Sequence, residues 1–286
     1  MKYDNLLSIL IPTYNRYELT KALVSDLLSQ IDENNLYGCV EVIVCDNSTS
    51  FDDKIKFKNS LSNHNHVVKY YDTGENIGPT ANWIQCILHA THRYSLFVFS
   101  DDYLNKDGLI HIFRMLKNSS CDIYFLKAQI NTNGKFVNYL DYEEFINLNT
   151  DVLLKQFLTT EKLPVSPGCT VLKTEKLKTI NFDKIINKYP GARKMGAGSD
   201  AFIIYSCLKE ANKIFFSSLD LIVLRDHEDS FTGSSNSKKE VIRNIAILKL
   251  DLIRQEFGLF QYVYYFFIKQ FEMPIIHMRI KLWSIN

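Results

Sequence analysis

The chain lacks the glycine-rich loops that hold phosphates in the commonest nucleotide-binding proteins. It has 11 glycines among 286 residues, and none of them forms G-x-x-x-x-G-K-[ST] or a strand-linked G-x-G-x-x-G. The first pattern is typical of a P-loop and the second of a dinucleotide site. Their absence argues against both kinds of site.

The chain also has little that would indicate disulfides, zinc or nucleic acid. Its six cysteines include no C-x-x-C pair, and several lie within apolar runs, as reduced core cysteines do. The formal net charge is +1, so we expect no nucleic-acid partner. With 46% hydrophobic and 23% charged residues, the composition is that of a globular protein with a core.

Long hydrophobic runs are missing as well. No uncharged apolar run reaches the ~18 to 20 residues of a membrane-spanning helix, and the N-terminus shows no signal peptide, so we expect a cytoplasmic protein. The C-terminal part differs, because eight of the fifteen residues at 257–271 are aromatic and basic residues follow. Peripheral contact of residues 257–286 with the inner face of the cytoplasmic membrane, a core helix and a dimer contact all stay open.

Short apolar runs in the first 120 residues predict four buried strands. These runs are Leu6 to Ile11, Val40 to Cys45, Val67 to Tyr71 and Tyr94 to Phe99. Leucines at helical spacing follow the first run, and Pro79 occupies the expected first turn of a later helix. Strands that alternate with helices predict an α/β fold with a mostly parallel sheet.

Polar residues follow three of these strands. They are Pro12 to Arg16, Asp46 to Ser48 and Ser100 to Asp102. The carboxyl ends of parallel strands share one edge, where open α/β sheets bind ligands. An acidic pair there can hold Mg²⁺ together with substrate phosphates, although Asp is also common in plain turns. This edge suits a nucleoside diphosphate.

Four segments together resemble the inverting nucleotide-sugar glycosyltransferases of the GT-A fold, in the large family 2. They are S-I-L-I-P-T-Y-N-R at 8–16, V-E-V-I-V-C-D-N-S at 40–48, E-N-I-G at 75–78 and F-V-F-S-D-D-Y-L at 97–104. Within the family, the chain is most similar to bacterial enzymes of O-antigen, capsule or lipooligosaccharide assembly. The resemblance implies a GT-A (Rossmann-like) α/β fold. Its sheet would be mixed and mostly parallel, with helices on both faces and a C-terminal helical region.

The resemblance also implies an organisation along the chain. Residues 1–237 would form the transferase domain, with a nucleotide-binding half at 1–120 and an acceptor-binding half at 121–237. Residues 238–286 would form a helical, basic and aromatic extension.

The implied nucleotide-binding residues come from all four segments. Asp46 would accept a hydrogen bond from the base, taken to be uracil. The full implied set is Pro12, Thr13, Tyr14, Asn15, Arg16, Asp46, Asn76, Gly78, Asn82, Ser100 and Asp101.

The implied metal is Mn²⁺ or Mg²⁺, and its ligands would be Asp101 and Asp102. The family often reads D-x-D-D at this place, whereas Phe99 replaces the first acid in this chain. His227 lies in a segment that resembles R-x-H-x-x-S, so it is a candidate for a further metal ligand or a diphosphate contact. The alternative is a solvated histidine in a polar loop.

Asp200 is the implied catalytic base. It ends the segment Gly196-Ala197-Gly198-Ser199-Asp200, which resembles the family's glycine-acid segment, where a carboxylate deprotonates the acceptor hydroxyl. Capping of the following helix by Ser199 or Asp200 is the alternative. Gly168 and Ser199 match the acceptor side, although a plain turn explains the surroundings of Gly168 nearly as well.

These features predict a metal-dependent glycosyltransferase of bacterial surface polysaccharide synthesis. It would move a sugar from a nucleotide-diphosphate donor, with UDP favoured, to a hydroxyl of a glycan or lipid-linked saccharide with inversion. Two alternatives stay open. A nucleotidyltransferase would usually carry a glycine-rich basic loop after its first strand, and Phe99 suggests a non-catalytic glycan-binding protein on a degenerate transferase fold.

Overall fold

The computed structural model describes residues 5–189, 191–192, 196–226 and 235–283. The strands are β1 Leu7–Thr13, β2 Val40–Asp46, β3 Val68–Asp72, β4 Tyr94–Phe97, β5 Tyr103–Leu104, β6 Ile123–Thr132, β7 Lys135–Leu140, β8 Phe145–Asn147, β9 Thr170–Lys173 and β10 Ile214–Asp226. The α-helices are α1 Tyr17–Glu33, α2 Phe51–Ser60, α3 Pro79–His89, α4 Gly108–Asn118, α5 Thr150–Thr159, α6 Thr174–Lys178, α7 Asp183–Ile186, α8 Ser199–Lys209 and α9 Ser235–Trp283.

One mixed sheet of ten strands connects both halves of the chain. Its main path is β3-β2-β1-β4-β9-β6-β10-β5, with β7 paired to β6 and β8 paired to β10. Strands β1 to β4 pair in parallel, as do β6 and β10, whereas β9 runs antiparallel between β4 and β6. The predicted mixed, mostly parallel sheet is therefore confirmed.

Helices cover both faces of this sheet and divide the core into two clusters. Every residue of β1 and β2 is buried, which explains why both are continuous apolar runs. Along β1, Ile9 and Ile11 face the cluster that includes α1 and α4, while Leu10 faces the cluster that includes α3 and α8. The alternation follows from the two-residue period of a strand.

The register brings the predicted strand ends to one edge. Thr13 lies opposite Asp46, and Asp46 lies opposite Asp72 on the next strand. The predicted strand ends move by one or two residues. The first two strands extend to Thr13 and Asp46, and the fourth ends at Phe97 rather than Phe99. The fourth strand ends early because the chain turns, with the Asp102 amide donating to the Phe99 carbonyl at 2.9 Å.

The C-terminal helix α9 is interrupted at Gly258, where φ is 83° and ψ is 179°. Before this kink, Leu248, Leu252 and Ile253 are buried in the same cluster as α3 and α8. Across the described ranges, we find no helix whose length and apolarity together would allow it to cross a membrane. The boundary between residues 237 and 238 stays a prediction.

Candidate active site

The Asn47 side chain ties the end of β2 to the segment that precedes α3. Its Nδ2 donates to Asn76 Oδ1 at 2.8 Å, and its Oδ1 accepts from the Ile77 amide at 2.8 Å. Asn76 Oδ1 also accepts from the Gly78 amide at 2.9 Å. Asn47 is not among the predicted site residues, although its place directly after a buried strand is a usable signal.

A second set of hydrogen bonds joins the loops that follow β1 and β2. Asn15 has a φ of 52°, a left-handed conformation that Asn tolerates better than most residues. Its amide donates to Ser48 Oγ at 2.7 Å, and its Oδ1 accepts from the Thr49 amide at 3.0 Å. Its neighbour Tyr14 is 45% exposed. The arrangement leaves the Tyr14 ring accessible above a fixed loop.

The Asp46 carboxylate is buried and held from two sides. Its Oδ2 accepts from the Tyr70 hydroxyl at 2.8 Å, and its Oδ1 accepts from the Ser48 amide at 2.9 Å. Burial raises the pKa of Tyr70, and the hydrogen bond to Asp46 raises it further, so Tyr70 stays a donor. Since each carboxylate oxygen can accept more than one hydrogen bond, Asp46 can still accept from a ligand.

Asn82 lies beneath this edge. It is 3% exposed, and its Nδ2 donates to the carbonyls of Cys45 at 3.1 Å and Thr13 at 3.3 Å. Its Oδ1 is buried with no hydrogen-bond partner among the described residues. The visible role of Asn82 is to hold the ends of β1 and β2 together, and its predicted contact with the nucleotide stays a prediction.

Gly78 and Pro79 begin α3 at the same edge. Gly78 has a φ of 85°, a region that glycine enters without steric cost. Pro79 occupies the first helical turn, as predicted. The positive end of the α3 dipole therefore lies beside Asn76, where it favours a negatively charged ligand.

Asp101 and Arg16 contact each other across the edge. Arg16 Nη1 lies 2.5 Å from Asp101 Oδ2, with the two side chains 24% and 14% exposed. Arg16 follows β1 and Asp101 follows β4. A predicted nucleotide-binding residue and a predicted metal ligand therefore form one ion pair.

Asp102 is more enclosed than Asp101. Burial raises the pKa of Asp102 well above its ordinary range, and the neighbouring charge of Asp101 adds to this shift. Its Oδ1 accepts from the Arg225 amide at 3.2 Å. Ser100, also predicted to bind nucleotide, is 5% exposed.

The described segments contain no group of three or more His, Cys, Asp or Glu side chains that could hold a metal ion. His227, the third predicted ligand, lies outside the described residues. The pair at Asp101 and Asp102 thus offers at most two protein carboxylates within the described part.

Phe99 takes part in an aromatic cluster instead of a metal site. Its ring centroid lies 5.4 Å from that of Trp83 and 6.1 Å from that of Phe97. A Cβ added at Gly168 would lie 3.4 Å from Phe99 Cε2. The absence of a side chain at Gly168 therefore lets the Phe99 ring pack closely against the backbone. The predicted acceptor-side residue Gly168 thus lies close to the segment that carries the acidic pair.

Asp200 lies in the first turn of α8, and the N-terminus of α8 contacts the N-terminus of α3. The hydroxyls of Ser199 and Thr80 share a hydrogen bond of 2.6 Å, and a Cβ at Gly196 would lie 3.4 Å from the Pro79 ring. Ser199 is fully buried, so its hydroxyl joins α8 to α3. The predicted acceptor role of Ser199 stays a prediction.

The Asp200 carboxyl has an unusual acidity. Burial raises its pKa from 3.8 to about 6, although amide donors and the charge of Lys249 lower it in part. Its Oδ1 accepts from the Ala201 amide at 2.8 Å, so it also satisfies a donor of the first helical turn. A carboxyl with a pKa of about 6 can exchange a proton near neutral pH.

The chain matches a known protein family over most of its length. The model of glycosyl transferase family 2 matches residues 8–180, which is more than half of the chain. The chain belongs to this family. It is a glycosyltransferase, as the resemblance predicted, and the comparisons give no support to the nucleotidyltransferase alternative.

Two curated relatives of this family 2 glycosyltransferase come from bacteria. Abequosyltransferase RfbV of Salmonella typhimurium is 26% identical over 258 residues, covering 86% of this chain and 74% of the relative. The Escherichia coli UDP-Glc:alpha-D-GlcNAc-diphosphoundecaprenol beta-1,3-glucosyltransferase WfgD is 28% identical over 203 residues, covering 65% and 77%.

A solved structure shares the fold. S. aureus TarS 1-349 in complex with UDP-GlcNAc superposes with a TM-score of 0.63 at 21% identity, covering 86% of this chain and 66% of that one. The GT-A fold of this family 2 glycosyltransferase is thereby confirmed.

Proposed function

We propose that this glycosyltransferase moves a sugar from a UDP-sugar to a hydroxyl of a lipid-linked saccharide, with inversion and with a divalent metal ion. The carrying observation is the 2.6 Å hydrogen bond between Thr80 and Ser199. It holds Asp200, whose pKa is about 6, beside the edge that bears Asp46 and Asp101. One cleft thereby gains a nucleotide-binding side and a base.

The donor half binds the nucleotide. Asp46 accepts a hydrogen bond from the uracil N–H, and the exposed ring of Tyr14 covers the base. Asn47 fixes the 75–78 segment by two hydrogen bonds of 2.8 Å, so the Gly78 backbone and the N-terminus of α3 meet the diphosphate.

The residues present fit a metal ion that is bound chiefly by the substrate. Hard divalent cations take one or two carboxylates plus phosphate oxygens, and Asp101 can supply one carboxylate when Arg16 moves away from it. When bound, the ion offsets negative charge on the departing diphosphate. Arg16, once released, can contact the same phosphates. Asp102 and His227 stay proposed as further ligands.

Asp200 removes the proton from the acceptor hydroxyl as its oxygen attacks the anomeric carbon. The bond from that carbon to the diphosphate oxygen breaks on the opposite face, so one displacement inverts the centre. The carboxylate can face the cleft because Asp200 is only half-buried.

The relatives support the substrate classes. The name of WfgD specifies a UDP-sugar donor and a diphosphoundecaprenol-linked acceptor, and TarS was solved with UDP-GlcNAc. We therefore place the protein in bacterial surface polysaccharide synthesis. We also propose a cytoplasmic location with peripheral contact at the membrane through 257–286, where Phe260 is 79% exposed.

The test is UDP release from a panel of UDP-sugars, measured with and without Mn²⁺, together with UDP-induced shifts of the unfolding midpoint. A ligand that binds only the folded state raises that midpoint. We expect Mn²⁺-dependent UDP release from at least one donor. Strong glycan binding with no UDP shift and no release would instead support the non-catalytic alternative.

A further inference from the structure

An apolar stripe of the C-terminal helix α9 lines a cavity at the edge of the core. Ile242, Ile245, Ala246, Leu250 and Ile253 recur at helical spacing and line one cavity of about 380 Å³. Protein interiors normally contain few voids larger than a water molecule. The volume of this cavity lies within the range of ligand-binding pockets, about 300–1,000 Å³.

The other walls of this cavity are also mainly apolar. Leu163 and Val165 lie opposite the helix, and Tyr265, from beyond the Gly258 kink, closes one side. The charged lining residues are Glu161, which is exposed at the rim, and Lys249, which is 8% exposed and donates to the Phe157 carbonyl at 2.6 Å. The lining therefore suits an uncharged apolar group.

The helix that lines the cavity also packs against the segment that carries the proposed catalytic base. A Cβ added at Gly198 would lie 3.3 Å from Leu248 Cδ2 on α9. The start of α8 therefore packs against the helix that lines the cavity. Burial raises the pKa of Asp200, and the charge of Lys249 opposes that shift, as expected for a neighbouring cation. Val165 leads directly to Gly168 and the proposed acceptor side.

We propose that this cavity binds the hydrocarbon chain of the acceptor while a sugar hydroxyl of the same molecule lies at Asp200. The inference rests on the proposed function in taking the ligand to be the acceptor. Beyond the kink, Leu259 is 62% exposed and Phe260 is 79% exposed. The segment that contributes Tyr265 to the cavity therefore also offers an apolar outer face, across which a chain can enter from a membrane surface.

The first experiment measures binding of methyl, butyl, hexyl and octyl β-D-glucoside to the whole protein by calorimetry, each below its micelle concentration. We expect affinity to rise up to about fourfold per added methylene, because burying one is worth ~0.8 kcal/mol. The same affinity for all four glucosides would overturn the proposal.

Two neighbouring substitutions locate the site. Ala246→Phe fills the cavity and should weaken octyl glucoside binding at least about tenfold. Ile247→Phe is the matched control, because Ile247 is 40% exposed and absent from the cavity lining, and it should bind like the parent protein. Unchanged octyl glucoside binding by a folded Ala246→Phe protein would contradict the assignment.

Photolabelling of the unmodified protein covers the case in which Ala246→Phe does not fold. An alkyl glucoside with a diazirine at the chain end should label the peptides around Ile242 to Ile253, and octyl glucoside should compete. Labelling confined to residues 259–264, none of which lines the cavity, would reject the cavity. UDP binding is measured in parallel. Normal UDP binding without chain-length dependence rejects the cavity alone, and chain-length dependence without UDP binding rejects the proposed transferase reaction alone.

Discussion

The pKa values of carboxyl groups differ between the amino edge of the sheet, where the parallel strands begin, and the carboxyl edge, where they end. At the amino edge, Glu41 accepts hydrogen bonds from Ser8 at 2.6 Å and from the Thr91 amide at 2.7 Å, and it pairs with Lys69 at 2.6 Å. Burial alone would raise the pKa of Glu41, but hydrogen bonds, first of all from His92, outweigh it and hold that pKa well below its ordinary range. This carboxylate is stabilised as an anion.

At the carboxyl edge, burial outweighs the hydrogen bonds to Asp102 and Asp200. The pKa of Asp102 is raised well above its ordinary range and that of Asp200 to about 6. Their anions have too few donors to compensate for burial. A carboxylate whose hydrogen bonds and ion pairs outweigh the cost of burial contributes to stability. A carboxylate with too few such partners binds a cation or a proton more readily, as carboxylates at functional sites do. The difference between the edges can be tested one carboxylate at a time.

The largest expected effect is at Asp200. Asp200→Asn keeps the shape and can still accept from the Ala201 amide, but it cannot take a proton. General-base catalysis contributes ~10² to 10⁴ in rate, so transfer should fall by about that factor while UDP affinity is unchanged. Single-turnover transfer and calorimetry measure the two quantities. A loss below about threefold would leave Asp200 as a helix cap.

The next effect is on stability at the opposite edge. Glu41→Gln should lower the free energy of unfolding by about 3 kcal/mol, since breaking a buried ion pair costs ~3–5 kcal/mol and Lys69 is 39% exposed. UDP affinity should be unchanged. The matched control is Glu210→Gln, whose pair with Lys176 is exposed and is worth less than about 1 kcal/mol. Equal losses in both variants, measured by denaturant titration, would contradict the assigned role of Glu41.

The two edges should also respond oppositely to pH. Because the pKa of Glu41 is lowered on folding, its contribution to stability is present above its unfolded pKa and is lost as the pH falls below it. The pKa of Asp200 is raised to about 6, so its anion costs stability as the pH rises through 6. The base needs that anion, so kcat/KM should fall about tenfold per pH unit below 6. A rate profile that is flat from pH 5 to 7 would exclude Asp200.

A smaller effect is expected at Asp101. Asp101→Asn removes an anionic ligand and weakens the contact with Arg16, so Mn²⁺ stimulation of UDP release should fall at least about tenfold. Asp52→Asn, on the exposed side of α2, controls for the loss of one negative charge. Retention of the full Mn²⁺ response by Asp101→Asn would mean that the acidic pair forms only a turn.

The smallest effect should come from Tyr70→Phe. It removes the hydroxyl that donates to Asp46 at 2.8 Å, and one hydrogen bond to a charged group is worth ~1.5–3 kcal/mol. Since Asp46 keeps the Ser48 amide, we expect a loss of about three- to tenfold in UDP affinity and a smaller preference over ADP. Tyr71→Phe, whose ring stacks on His89 at 3.5 Å, is the control. Equal UDP affinity in both variants would mean that the Tyr70 hydroxyl does not contribute to recognition of the base.

The strand ends that carry the proposed nucleotide site were easier to predict from the sequence than the contacts between distant parts of the chain. Fully buried parallel strands are continuous apolar runs, so β1, β2 and the residues after them were accessible to pattern reading. The contact between Thr80 and Ser199 joins residues 119 positions apart. The pairing of Arg16 with Asp101 spans 85 positions. No local pattern encodes contacts that depend on how separate elements pack.

The strand β9 has a consequence for how enzymes of this kind can diversify. It hydrogen-bonds to β4 on one side and to β6 on the other, so it joins the parallel strands of the first 100 residues to the strands of the second half. Separation of the chain near residue 120 would expose the paired edges of β4 and β9, and exposed strand edges can pair with other chains. A change confined to loops or to the C-terminal helix leaves both ladders of β9 intact, whereas exchange of the whole second half between relatives would have to rebuild the pairing of β9 with β4.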